Sequence, residues 1–241
     1  MRSHPAFTII ELLSVVGIVG LLASLGFVGY SALVAYAHEA KCASNLRQIG
    51  QAMQLYAQDH GGRLPRTSHG STFSSSGAEQ SWIFSLAPYL EDVDEIRVCP
   101  ADPRADEIVE NNGTSYVLNE FVFVPRIDYA ANPATGELEF IVEDYSLLVN
   151  MAAPSETFLA FPRADNYGGG ADSAVSRSQD HAHSRSWFSW GAVLRDIQPD
   201  RHGDDANYLF ADGHVENIPQ DVLRARIESG DNFAQPTMRQ P

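Results

Sequence analysis

The chain has 241 residues, 44% of them hydrophobic and 20% charged, enough for one membrane segment and one globular domain with a real core. Its net charge at pH 7 is -15, with nearly all the acid after residue 90, so the soluble part should repel a nucleic-acid backbone and no nucleic-acid partner is expected. Two cysteines, Cys42 and Cys99, are too few for a disulfide scaffold or a four-thiolate zinc site; they are expected to lie close together in the head, as one bridge or two free thiols.

The first element is the apolar stretch "AFTIIELLSVVGIVGLLASLGFVGYSALVAYA" at 6–37. Between Glu11 and His38 its only ionisable side chains are Tyr30 and Tyr36. As a helix at about 1.5 Å per residue this run is about 39 Å long, a full bilayer crossing. It exceeds the apolar core of a cleavable secretory signal, although "ASLGF" imitates a cleavage site. Glu11 stands inside the first turns, where a carboxylate in hydrocarbon costs on the order of 2 kcal/mol or more and calls for a partner. Arg2 before the span and Lys41 and Arg47 after it specify orientation only weakly.

The helical pattern continues past the apolar run. Cys42, Leu46, Ile49, Met53 and Tyr56 recur at spacings of four and three and share one face. One helix from about residue 7 to 59 is expected, ended by "HGG" at 60–62 and Pro65. A polar tract at 67–80 follows, then a short helix at 81–90. Four β-rich runs come next, at 115–119, 120–125, 138–142 and 157–162. Tyr116, Phe121, Phe123 and Phe140 are expected to be core. Residues 163–206 read as a long surface excursion with local structure around "SWFSW". "NYLFADGHVENI" at 207–218 reads as a hairpin with a two-residue Asp212-Gly213 turn, and 219–229 as a closing helix.

"AFTIIELLSVVGIVGLLASL" resembles the N-terminal segment of type IV pilin-like proteins, including pseudopilins of type II secretion systems. "KCASNLRQIGQAMQLYAQDHGGRLP", "VCPAD" and "NYLFADGHV", with His202, nine residues and then Asp212-Gly213, resemble a subfamily carrying a C-terminal His-x9-Asp-Gly motif. The resemblance implies a leader of Met1 to Ala6, removed by prepilin peptidase between Ala6 and Phe7, with N-methylation of Phe7 and Glu11 as the family's characteristic acid. Ala6 stands where that family usually has glycine.

The fold class expected is α+β and pilin-like, a long N-terminal helix whose first half spans the membrane and whose second half lies on an antiparallel β-sheet head. The organisation expected is a leader at 1–6, a transmembrane and filament-core helix at 7–38, its amphipathic continuation at 39–62 and the head at 63–241. The function implied is that of a non-enzymatic filament subunit in a type II secretion or type IV pilus-like system. Its partners would be other pilin-like subunits, prepilin peptidase, an inner-membrane assembly platform and the lipid bilayer, with a single pass through the inner membrane and the head outside the cytoplasm.

No cofactor is expected. The alternatives are a calcium site at Asp204, Asp205 or Asp212, and a transition-metal site at which His181 and His183 beside Asp180, His202 before Asp204 and Asp205, and Asp212 converge. A membrane-anchored hydrolase or metal-binding protein using His202 and Asp212 is the other function class, and no nucleophile motif such as G-x-S-x-G accompanies that pair.

Overall fold

The computed structural model describes residues 8–67, 82–131, 137–166 and 180–237. The leader expected at residues 1–6, the cleavage expected between Ala6 and Phe7, and the side chain of Phe140 lie outside the described residues. In chain order the elements are α1 (Ile9–Asp59), α2 (Trp82–Ser85), α3 (Val93–Ile96), α4 (Ala105–Glu110), β1 (Tyr116–Asn119), α5 (Glu120–Phe123), β2 (Arg126–Ala131), β3 (Leu138–Glu143), β4 (Phe158–Pro162), β5 (His181–Ala182), α6 (Trp190–Asp196), β6 (Asp205–Phe210), β7 (Val215–Pro219) and α7 (Gln220–Glu228).

The 51 residues of α1 start at a capping box: Thr8 accepts from the Glu11 amide, and the Glu11 carboxylate takes the Thr8 amide at 2.9 Å and hydroxyl at 2.8 Å. The helix ends where Gly61 and Gly62 adopt positive φ. At about 1.5 Å per residue it is about 77 Å long, far longer than the head needs.

The head is a five-stranded sheet in the order β5-β1-β4-β6-β7, beside a separate β2–β3 hairpin. The sheet is mixed rather than antiparallel: β5 pairs parallel with β1, while the other three pairings are antiparallel. A parallel neighbour needs a long crossover, and the chain between β1 and β5 supplies it.

Alternation divides the core between the two sheet faces. Tyr116, Leu118, Leu159 and Leu209 meet Cys42, Leu46, Ile49 and Met53 of α1 on one face. Val117, Phe158, Phe161, Tyr208 and Phe210 meet Trp187, Val193, Leu223 and Phe233 on the other. Phe158 and Phe161 share a face despite their odd spacing because the β4–β6 register shifts between Phe158 and Ala160.

Three expectations are corrected. Residues 120–123 form α5 rather than a strand, because the Asn119 side chain caps the Phe121 amide and turns the chain. Tyr116, Phe121 and Phe123 are nevertheless buried. Within 163–206, the described segment from 180 is not a surface excursion: Ala182, Trp187, Val193 and Ile197 build the second core, and the Trp187 indole donates to Asp196 at 2.8 Å. The short helix expected at 81–90 is α2 followed by a separate 3-10 turn at Ala87–Tyr89, where Pro88 removes an amide donor.

The β6–β7 turn also differs in type. The Gly213 amide donates to Phe210 O and the Phe210 amide to His214 O, so Ala211, Asp212 and Gly213 form a three-residue loop. Only Gly213 has positive φ, +90°, the arrangement of a type I turn followed by a glycine bulge. This turn lies on α1 at Gly50, where an added Cβ would sit 3.2 Å from Gly213 O and 3.3 Å from Gly213 Cα. Gly50→Val should therefore push the hairpin off the helix and lower stability by about 2 kcal/mol. Gly213→Val, with open space around its Cβ but the wrong φ, should cost about 1–2 kcal/mol. Urea unfolding of both variants checks the order; equal stability of Gly50→Val and wild type would refute the close approach.

Candidate functional site

Two features of the molecule are not consumed by the fold. The first is the N-terminal half of α1. Burial begins at Cys42, and the first head contact on the helix backbone is Asn207 Nδ2 donating to Glu39 O at 3.0 Å. Before it, Ile9, Ile10, Leu12, Leu13, Val15 and Val16 are exposed, Ile9 by 80% and Ile10 by 76%, and so are Leu33 and Tyr36. These positions occupy every face of the helix, so no single stripe turns toward the head. Among the described residues no helix is long and apolar enough to cross a membrane. Among the described residues the partner of Glu11 is Thr8.

The second feature is a buried cluster of Cys42, Cys99 and His202, whose ligand atoms all lie within 4.8 Å of one another. Both cysteines are free thiols. Cys99 Sγ is 3.8 Å from His202 Nε2, and the Tyr116 hydroxyl donates to Cys42 Sγ at 3.5 Å.

Local structure explains the convergence. Cys42 is on the buried face of α1, and three residues later Asn45 donates to Val98 O at 3.0 Å, which fastens the segment before Cys99 to the helix. Arg97, 1% exposed, donates to Asp94, Ile108 O, Gly113 O and Val109 O and fixes that segment from the other side. Arg201 forms an ion pair with Asp165 at 2.6 Å, donates to Arg163 O at 2.6 Å and lies 3.8 Å from Asp102, so the residue before His202 is tied to the loop just after Cys99.

The electrostatics of the two thiols are those of one pair. Cys99, acting as hydrogen-bond donor, holds Cys42 well below the usual thiol range, and the His202 ring and Tyr116 hydroxyl add to this. The same contact with Cys42, together with burial, pushes Cys99 up. Burial also raises Tyr116, which stays a phenol and a donor. The cluster is thus suited to hold one thiolate at neutral pH.

The remaining candidate residues do not assemble. His202 precedes β6 and Asp212 follows it, so the His-x9-Asp-Gly pair occupies opposite ends of a six-residue strand, on the order of 20 Å apart. Asp212 instead accepts from the amide and ring of His214. Asp205 accepts from Asn217 at 3.0 Å, at the far end of β6 from Asp212, so Asp204, Asp205 and Asp212 do not share one calcium site. His181 lies 3.4 Å from Asp180 and His183 lies 3.4 Å from Asp196; among the described residues these four do not make a three-ligand group. Asn45, Arg97, Tyr116 and Arg201 were not legible as parts of a site. The available signal was that "KCASN", "VCPAD" and the His202 motif each contribute one member.

Residues 36–96, about a quarter of the chain, match the model of a family described as a protein of unknown function, DUF1559. The match contains Cys42 and the head-facing half of α1. No curated protein and no solved structure matches the chain.

Proposed function

We propose that this chain is a structural, non-enzymatic subunit of a type IV pilin-like filament, a secretion pseudopilin or pilus subunit, assembled through the first half of α1. One observation carries the reading: a single helix of 51 residues is buried in the head over its second half and presents apolar side chains on all sides over its first. Such a surface is stable only in lipid or against other apolar helices. The sequence from residue 12 to 37 holds no charged side chain, which suits a single inner-membrane pass before assembly. The head then lies outside the cytoplasm, and the partners are prepilin peptidase, an assembly platform, the bilayer and other pilin-like subunits. The hydrolase reading has no support in the separation of His202 from Asp212.

Mass analysis of the protein purified from membranes should find a chain beginning at methylated Phe7, and a tagged copy should appear in fibres. A chain beginning near Phe27, after "ASLG", would overturn the filament reading in favour of an ordinary signal peptide.

A further inference from the structure

Cys42, Cys99 and His202 come from three segments that are distant in sequence, and each is delivered by its own set of contacts: Cys42 by the core face of α1, Cys99 by the Asn45 bond to Val98 O, and His202 by the Arg201 network. Two thiol sulfurs and an imidazole nitrogen within 4.8 Å of one another are the donor set of a tetrahedral zinc-class site. Zinc–sulfur bonds of about 2.3 Å and zinc–nitrogen bonds of about 2.0–2.1 Å give a sulfur–nitrogen edge of about 3.6 Å. Cys99 Sγ and His202 Nε2 stand 3.8 Å apart, so closure onto an ion needs only a small movement. The Tyr116 hydroxyl, 3.5 Å from Cys42 Sγ, is placed as a hydrogen-bond donor to a metal-bound thiolate. The ligand set holds no carboxylate, which disfavours calcium and magnesium.

We propose that Cys42, Cys99 and His202 bind one zinc(II) ion, with water as the fourth ligand, entering beside His202, the member of the set that is not fully buried. Binding joins both sulfurs to the metal as thiolates, the proton that the pair still holds passing to solvent, with no change of oxidation state. The ion joins α1, the Cys-Pro loop and the start of β6 into one body. It also gives the His-x9-Asp-Gly spacing a physical meaning: β6 is tied to α1 at one end through the His202–Cys42 site and at the other through the approach of Gly213 to Gly50. This proposal does not depend on the filament reading.

The test uses the full-length chain purified in detergent with reductant and without chelator. Elemental analysis should find one zinc per chain, and titration of the stripped protein with cobalt(II) should produce thiolate-to-cobalt charge-transfer absorption. Cys99→Ala and His202→Ala should each abolish stoichiometric zinc, Tyr116→Phe should weaken it about tenfold, and Asp212→Asn should bind as wild type does. Circular dichroism of each variant establishes that the head is folded, and His202→Ala, at the least buried position, is the decisive case should the cysteine variant unfold. Absence of zinc and cobalt binding by the reduced chain would overturn the proposal. So would a Cys42–Cys99 disulfide in the freshly isolated protein, or undiminished binding by folded His202→Ala.

Discussion

Glu11→Gln should enter filaments far less than wild type, by tenfold or more, while remaining in the membrane with a folded head. The substitution is chosen because the observed role of Glu11 is the capping box with Thr8, which glutamine satisfies as well. Loss with glutamine therefore isolates the charge. In the assembly proposed here, cleavage creates a positive amine at Phe7, four residues before Glu11, and an incoming subunit's carboxylate meets a neighbour's amine inside a sheath of apolar helices. The α-amine has a reference pKa of about 8 and is largely charged at neutral pH. An unpaired carboxylate there is costly, so the pair sets the axial register between subunits. Glu11→Val removes both charge and cap and should do no better than Glu11→Gln; Glu11→Lys should be worst, because like charges then meet. Fibre incorporation, normalised to membrane level, is the measurement. Wild-type incorporation of Glu11→Gln beside failure of Glu11→Val would assign Glu11 to helix capping and refute the pairing.

Arg97→Ala should be the most destabilising polar substitution in the head, at about 3 kcal/mol. The guanidinium is 1% exposed and lies over the Phe84 ring at 5.5 Å. It donates to Gly113 O at 2.5 Å, Ile108 O at 3.1 Å and Val109 O at 3.2 Å, reaching carbonyls in the last turn of α4 and one three residues beyond its end. A positive group at a helix C-terminus meets the negative end of its dipole. Its ion pair with Asp94 contributes little, because Asp94 is largely exposed. Alanine removes the donors and leaves a cavity against Phe84; lysine keeps the charge without the planar fork, so Arg97→Lys should recover only part of the loss. Urea midpoints of the three proteins give the order, and a wild-type midpoint for Arg97→Ala would remove this residue from the stabilising network.

The long helix was legible because its signals are local: an unbroken apolar run, then Cys42, Leu46, Ile49 and Met53 at helical spacing, then two glycines. The β6–β7 hairpin was legible for the same reason, and its turn type was misread because Asp-Gly permits two positive φ values where the chain uses one. The run at 120–123 misled because aromatic and β-branched residues favour strands, whereas Asn119 uses its side chain to bend the backbone. Trp187 and Val193 were hidden in a polar-rich segment whose few apolar residues meet a sheet face only after the sheet exists. The approach of Cys42 to Cys99 was legible from the apolar helix face that carries the one and the Cys-Pro turn that holds the other, whereas His202 joins Cys99 across 103 residues and no local period encodes that.

The late arrival of β6 and β7 has a consequence for synthesis. The cover of α1 includes Gln54 Nε2 donating to Ala211 O across 157 residues and Asn207 donating to Glu39 O across 168. Contacts of such separation slow folding, because chain closure must precede any gain from them. At about 5–20 residues per second, the buried face of α1 waits on the order of 10–30 s between its own emergence and that of its covering strands. For that interval Leu46, Ile49 and Met53 form an open apolar stripe directly continuous with the apolar run before them, and a nascent chain needs either a holding partner or the bilayer surface to keep the stripe from pairing with another copy.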